Sequence, residues 1–83
     1  MTYEDVQRIV FETIKQQDEA LVDSDITLEA TLDSLKFDSL DVVEIANILE
    51  DRLNILIPDD VISKMRNVKD VVDEVEKLVC PKN

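Results

Sequence analysis

The 83 residues predict an all-α fold, a small four-helix bundle with three longer helices, one short helix and a long first loop. Three observations carry that reading. Apolar residues return at helical spacing over about 3–17, 39–53 and 68–80, with a shorter helical stretch at 59–65. The chain has no glycine and only two prolines, so these segments run without breaks. Hydrophobic residues are 45% of the chain, aromatics 4% and charged residues 35%, a mix that favours an aliphatic core under a charged surface over a disordered acidic tail. One domain, residues 1–83, lies near the size where a single core is only just sufficient.

Thr2 is placed as an N-cap with Asp5 three residues on, and Val6, Ile9, Val10 and Ile14, with Thr13 beside them, form the stripe of a first helix. Phe11 sits off that stripe, where it can pack on the long loop. Residues 18–37 lack sustained periodicity. A connection this long in a small domain has to be packed, and Leu21, Ile26, Leu28, Leu32 and Leu35 are spaced to lie across the helices. Asp23-Ser24-Asp25 reads as solvated acids, because a calcium loop of the EF-hand kind requires a glycine at its turn.

The second helix opens at Asp38-Ser39, two good N-cap types, with Asp41 adding a carboxylate to the first turn. Val42, Ile45, Ala46, Leu49 and Leu53 make its apolar stripe, and Asp41, Glu44, Asn47 and Asp51 fall on another face. Leu56 and Ile57 read as packing residues that lead into Pro58 and the short helix. Asp59 and Asp60 suit its first turn, with Val61, Ile62 and Met65 on its inner side. Asn67 caps a last helix whose inner residues are Val68, Val71, Val72, Val75, Leu78 and Val79. Valine is a mediocre helix former, so packing must hold that segment. Cys80 falls in its last turn, partly packed, and Pro81 ends it.

The net charge of −11 is uneven. Residues 38–60 hold seven acids and one base (net −6), and residues 61–83 hold four acids and five bases (net +1), so the last helix stands outside the acidic face. Such a surface repels nucleic acid and anionic membranes and attracts basic patches on other proteins. The single cysteine allows no internal disulfide. The acidic N-terminus lacks the basic start of a signal peptide, and no apolar run has the length of a membrane span. A monomeric cytoplasmic protein is expected.

Absences narrow the chemistry. Without histidine there is no Ser-His or Cys-His pair and no His metal ligand. Without glycine there is no phosphate-cradling loop and no nucleophile elbow. One cysteine cannot build a structural zinc site. No catalytic residue and no metal site is assigned. A paired-carboxylate hydrolase remains conceivable on residue types, but a bundle this small offers little room for a substrate pocket. Ser39 is better read as a residue acted upon: a hydroxyl at a helix N-terminus sits where unpaired amides and the dipole favour a phosphate ester.

Asp38-Ser39-Leu40, with Leu32 and Leu35 before it and Ile57-Pro58-Asp59 after the helix, resembles the acyl carrier proteins, over roughly Val6 to Val79. The resemblance implies a 4′-phosphopantetheine arm moved from coenzyme A onto Ser39 by a phosphopantetheinyl transferase. The thiol of that arm would hold acyl groups as thioesters for enzymes of fatty acid, polyketide or related pathways. It further implies that Asp38, Asp41, Glu44, Glu50, Asp51, Asp59 and Asp60 meet basic patches on acyl-loading, acyltransferase or ketosynthase partners, while Leu40, Asn47 and Ile57 make less polar contacts. Family members usually carry glycine and a small residue where this chain has Lys36 and Phe37. The loop before Ser39 is therefore expected to differ, with a bulky ring and a positive charge beside the attachment site. An aminoacyl or peptidyl carrier would share fold and arm, and an unmodified acidic adaptor would share the fold alone.

Overall fold

The computed structural model describes residues 2–21 and 23–79. The expectations for Cys80 and Pro81 fall outside them. The elements in chain order are α1 (Tyr3–Gln17), a 3-10 turn (Asp23–Asp25), α2 (Ser39–Leu53), α3 (Asp59–Ile62) and α4 (Val68–Val79).

Reciprocal caps start the three longer helices. Thr2 Oγ1 accepts from the Asp5 amide at 3.2 Å and Asp5 accepts from the Thr2 amide at 3.1 Å. Asp38 and Asp41 pair in the same way at the start of α2, at 2.9 and 3.1 Å. At α4, Asn67 Oδ1 accepts from the Asp70 amide at 2.8 Å and Asp70 accepts from the Asn67 amide at 3.3 Å. Each box satisfies donors that the first turn would otherwise leave open.

α1 packs against both α4 and α2, and α3 touches α2. Val6, Val10 and Ile14 from α1 meet Ile45, Ala46 and Leu49 from α2 and Val68, Val71, Val72 and Val75 from α4 in one core. Val42 and Leu53 lie at its margin, partly buried. Thr13 is fully buried, its hydroxyl donating to the Ile9 carbonyl at 2.8 Å. Arg52, the one base of α2, turns toward α1 and pairs with Glu12 at 3.1 Å.

The long first loop is packed, as its spacing requires. Ile26, Leu32, Leu35 and Phe37 are buried, and Leu21 and Leu28 are partly so. Its backbone is tied to the α3–α4 connection: Leu32 N–H donates to the Arg66 carbonyl, and Val68 and Lys69 donate to the Ala30 and Leu28 carbonyls, all at 2.9–3.0 Å. The loop thereby caps α4.

Residues 31–36 form a single tight turn that closes in a Schellman arrangement. Phe37 N–H reaches back to the Leu32 carbonyl at 3.0 Å and Lys36 N–H to the Asp33 carbonyl at 2.9 Å, with Lys36 left-handed at φ 66°. α2 ends similarly, with Asn54 left-handed at φ 54° and the Ile55 amide on the Glu50 carbonyl.

One boundary and two side chains differ from what the sequence predicts. α3 ends at Ile62 rather than near residue 65, because Lys64 and Met65 donate three residues back to Val61 and Ile62, which tightens the chain into turns. Met65 is nevertheless buried, as expected of an inner residue. Leu56, expected to pack, is 81% exposed: along this extended stretch Ile57 turns inward and Ile55 packs against the core, leaving Leu56 on the outside. Phe37 does not stand beside Ser39 as an exposed ring; its position after the Schellman turn directs it into the core.

Candidate functional site

Ser39 is the first helical residue of α2 and is exposed. Asp38, in extended conformation before it, directs its carboxylate to the Asp41 amide, and its carbonyl takes the first helical bond from Val42 at 3.1 Å. The Ser39 and Leu40 amides precede that bond and donate to no group among the described residues, whereas α4 has its equivalent amides filled by loop carbonyls. A hydroxyl standing beside open amides at the positive end of a fifteen-residue helix suits a phosphate ester.

Beside Ser39 runs a solvent-open groove of about 460 Å³ between α2 and the α3 region, lined by Ser39, Val42, Val43, Asp59, Ile62, Ser63 and Met65. It offers more room than the size of the bundle suggests. A second groove of about 610 Å³ on the outer side of α1, between Phe11 and Ile26, contains none of the candidate residues.

The acids sort by what their carboxylates already hold. Asp38 and Asp41 are committed to the cap. Gln17 of α1 donates from Nε2 to Asp41 at 3.2 Å and to Glu44 at 2.9 Å, a link absent from the sequence-based expectations; only its place in the last turn of α1 could have suggested it. The Asp38 amide and then the Gln17 amide hold the Asp41 carboxyl below the ordinary carboxylate range. Glu50 is half-buried and accepts the Ile57 amide at 2.7 Å. Asp51, Asp59 and Asp60 are exposed.

Of the less polar candidates, Leu40 is 67% exposed and Asn47 is exposed, but Ile57 is only 4% exposed. Ile57 is thus a core residue, held inward by the Glu50 bond. Val43, on the groove beside Ser39, and Leu56 are exposed apolar residues that are not among the sequence-based site candidates. Val43 lies three residues after Leu40 on the helix, a spacing that could have revealed it. Among the described residues no group of three or more His, Cys, Asp or Glu side chains is arranged to hold a metal ion, and no helix is long and apolar enough to cross a membrane.

Residues 9–75 match the family described as "Phosphopantetheine attachment site". The chain is 36% identical to the acyl carrier protein of Campylobacter concisus over 77 residues, covering 92% of this chain and 94% of that one. It is 41% identical to the acyl carrier protein of Helicobacter pylori over 76 residues, covering 89% and 90%. The crystal structure of an acyl carrier protein from Thermotoga maritima superposes with a TM-score of 0.75 at 31% identity, over 93% of this chain and 89% of that one. The actinorhodin holo acyl carrier protein of Streptomyces coelicolor gives 0.71 at 25% identity, over 100% and 95%. With an exposed serine opening α2 of the same helical bundle, the chain belongs to the acyl carrier protein family.

Proposed function

We infer that Ser39 carries a 4′-phosphopantetheine arm and that the protein holds acyl groups on it for enzymes of fatty acid, polyketide or related acyl-transfer pathways. The exposed Ser39 hydroxyl beside two open amides is the observation that supports this most directly. When bound, the arm supplies a terminal thiol that forms thioesters with acyl groups.

The chain's own residues present and orient. Asp38 and Asp41 fix the backbone of the first turn that presents Ser39. In the transfer from coenzyme A, the serine hydroxyl forms a phosphodiester, loses its proton, and the nucleotide portion departs with the displaced phosphate. The chain offers no histidine as a base for that proton. Val42, Val43, Ile62 and Met65 give the adjoining groove an apolar lining suited to shelter part of an acyl chain. Asp51, Asp59 and Asp60, whose carboxylates stand in solvent, are the docking acids for cytoplasmic partners with basic patches; brief encounters of this kind rest on steering.

Intact-protein mass spectrometry after incubation with coenzyme A and a broad-specificity phosphopantetheinyl transferase tests the assignment. One added phosphopantetheinyl group is expected, absent in Ser39→Ala. A mass unchanged across several transferases would overturn it in favour of an unmodified adaptor.

A further inference from the structure

The fold requires a left-handed residue at two helix-turn closures, and the chain fills them differently. Asn54 occupies the one that ends α2; asparagine is among the few non-glycine types that tolerate this conformation. The other holds Lys36, which has no such local compensation, three residues before Ser39. The neighbours leave it no alternative: Leu35 and Phe37 are buried on either side, and two backbone bonds close the turn around it. Strain of this kind, held in place by its surroundings, is characteristic of functional positions.

Charge gives the strained residue a purpose. Lys36 is the only Lys or Arg between Lys15 and Arg52. It is exposed and has no carboxylate within ion-pair distance among the described residues. The acids closest to it in the following turn, Asp38 and Asp41, are occupied by each other's amides. A phosphodiester on Ser39 would add negative charge to a segment, residues 38–60, that already carries net −6. A flexible ammonium on a four-carbon stem is suited to meet it as a point charge.

We propose that Lys36 is a positioning residue for the arm, its ammonium pairing with the phosphodiester on Ser39 and restraining the arm at its root. The proposal rests on the Ser39 assignment above. It predicts that modification and Lys36 are thermodynamically coupled, with the pair absent from the unmodified protein.

The test compares unmodified and modified forms of the wild type, Lys36→Gln, Lys36→Arg and Lys64→Gln, each confirmed by mass. Lys36→Gln keeps the backbone strain and removes the charge. Lys64→Gln removes an exposed charge next to Ser63 of the adjoining groove and reports on general electrostatics. The change in Tm on modification should be less favourable in Lys36→Gln than in wild type by roughly 2–4 °C at low salt, and the gap should close near 1 M salt. Lys36→Arg should behave as wild type, and Lys64→Gln should show less than half the Lys36→Gln effect. The phosphorus-31 resonance of the phosphodiester should move in Lys36→Gln and stay in Lys64→Gln. Equal changes on modification in wild type and Lys36→Gln, or equal effects of the two glutamine variants, would overturn the proposal. A protein that takes up no arm would remove the Ser39 assignment, and this proposal with it.

Discussion

The Glu50 carboxylate accepts the Ile57 amide at 2.7 Å, across a span of seven residues that includes the end of α2 and all of the connection to α3 except Pro58. The Glu50 carbonyl also receives the Ile55 amide, so one residue organises the connection through both backbone and side chain. Ile57 is drawn into the core and Leu56 is left in solvent. An acid that sequence places among the docking carboxylates therefore has a structural task.

Glu50→Ala should cost about 1–2 kcal/mol, the loss expected for a charge-assisted bond to an amide that becomes buried without a partner. Asp51→Ala, one residue further on and exposed, should change stability by less than about 0.5 kcal/mol. The same contrast should separate Ile57→Ala, at about 2–4 kcal/mol, from Leu56→Ala, near zero. Urea denaturation of the four variants reads all of this; equal losses at Glu50 and Asp51 would remove the anchoring role.

Lys36→Gly should stabilise the unmodified protein by roughly 0.5–1 kcal/mol. A non-glycine residue in the left-handed region costs about 1–2 kcal/mol, and the greater freedom of glycine in the unfolded chain returns part of that. Asn54→Gly, at the matching closure of α2, should gain less, since asparagine tolerates the conformation. Thermal unfolding of both variants checks the ranking.

These positions mark how far the sequence is legible. The helices follow from the repeat of Val6, Val10 and Ile14 and of Val68, Val71, Val72 and Val75, because burial on a helix leaves a 3.6-residue signature. Their starts follow from Thr2, Asp38 and Asn67, whose caps are encoded within four residues. The place of Ser39 at the opening of α2 is legible for the same local reason. Bonds formed across space are not. Nothing in the spacing of Glu50 and Ile57, or of Gln17 and Asp41, marks them as partners, and a short extended stretch does not reveal that Leu56 faces outward. Lys36 and Phe37 are conspicuous as departures, yet the direction of the ring depends on a turn closed by backbone bonds to Leu32 and Asp33.

Acid and alkali should both loosen the junction of α1 and α4. Asp73 Oδ2 pairs with Lys69 at 2.7 Å and its Oδ1 accepts from the Tyr3 hydroxyl at 3.0 Å. The Lys69 bond, ahead of the Tyr3 bond, holds the Asp73 carboxyl below its ordinary range against some desolvation. A depressed carboxyl contributes stability that is complete above its unfolded value of about 3.9 and is lost as pH falls through the folded value. At the other end, burial and then Asp73 raise Tyr3, and Asp73 raises Lys69. The Lys69 contribution is present below about pH 10 and disappears as pH rises through the raised value. The Tyr3 hydroxyl, which donates only while protonated, follows the same direction. Asp73→Asn should therefore flatten the stability profile on both flanks, by under about 1 kcal/mol, since solvent reaches the Asp73 side chain and screens it. Denaturant midpoints measured from acid to alkaline pH give the comparison; parallel profiles would exclude the linkage.

The acidic face should separate into residues that dock and residues that build. Asp51, Asp59 and Asp60 have exposed carboxylates, so neutralising them to Asn should slow association with a basic partner such as the transferase while leaving Tm within about 2 °C. Asp38→Asn should keep the cap, because asparagine caps a helix as well as aspartate, and so removes charge without unravelling the first turn. Asp41 differs again. Its carboxylate accepts both the Asp38 amide and Gln17, so Asp41→Ala should lower Tm where the three exposed acids do not, and disturb the presentation of Ser39 as well as the charge. Association rates for this set should fall as salt rises through 0.1 M, where charges more than about 10 Å apart are screened. Steering by the face as a whole predicts additive losses in rate from Asp51, Asp59 and Asp60 that vanish together at high salt. A salt-independent rate, or a loss confined to one of the three, would relocate the docking surface.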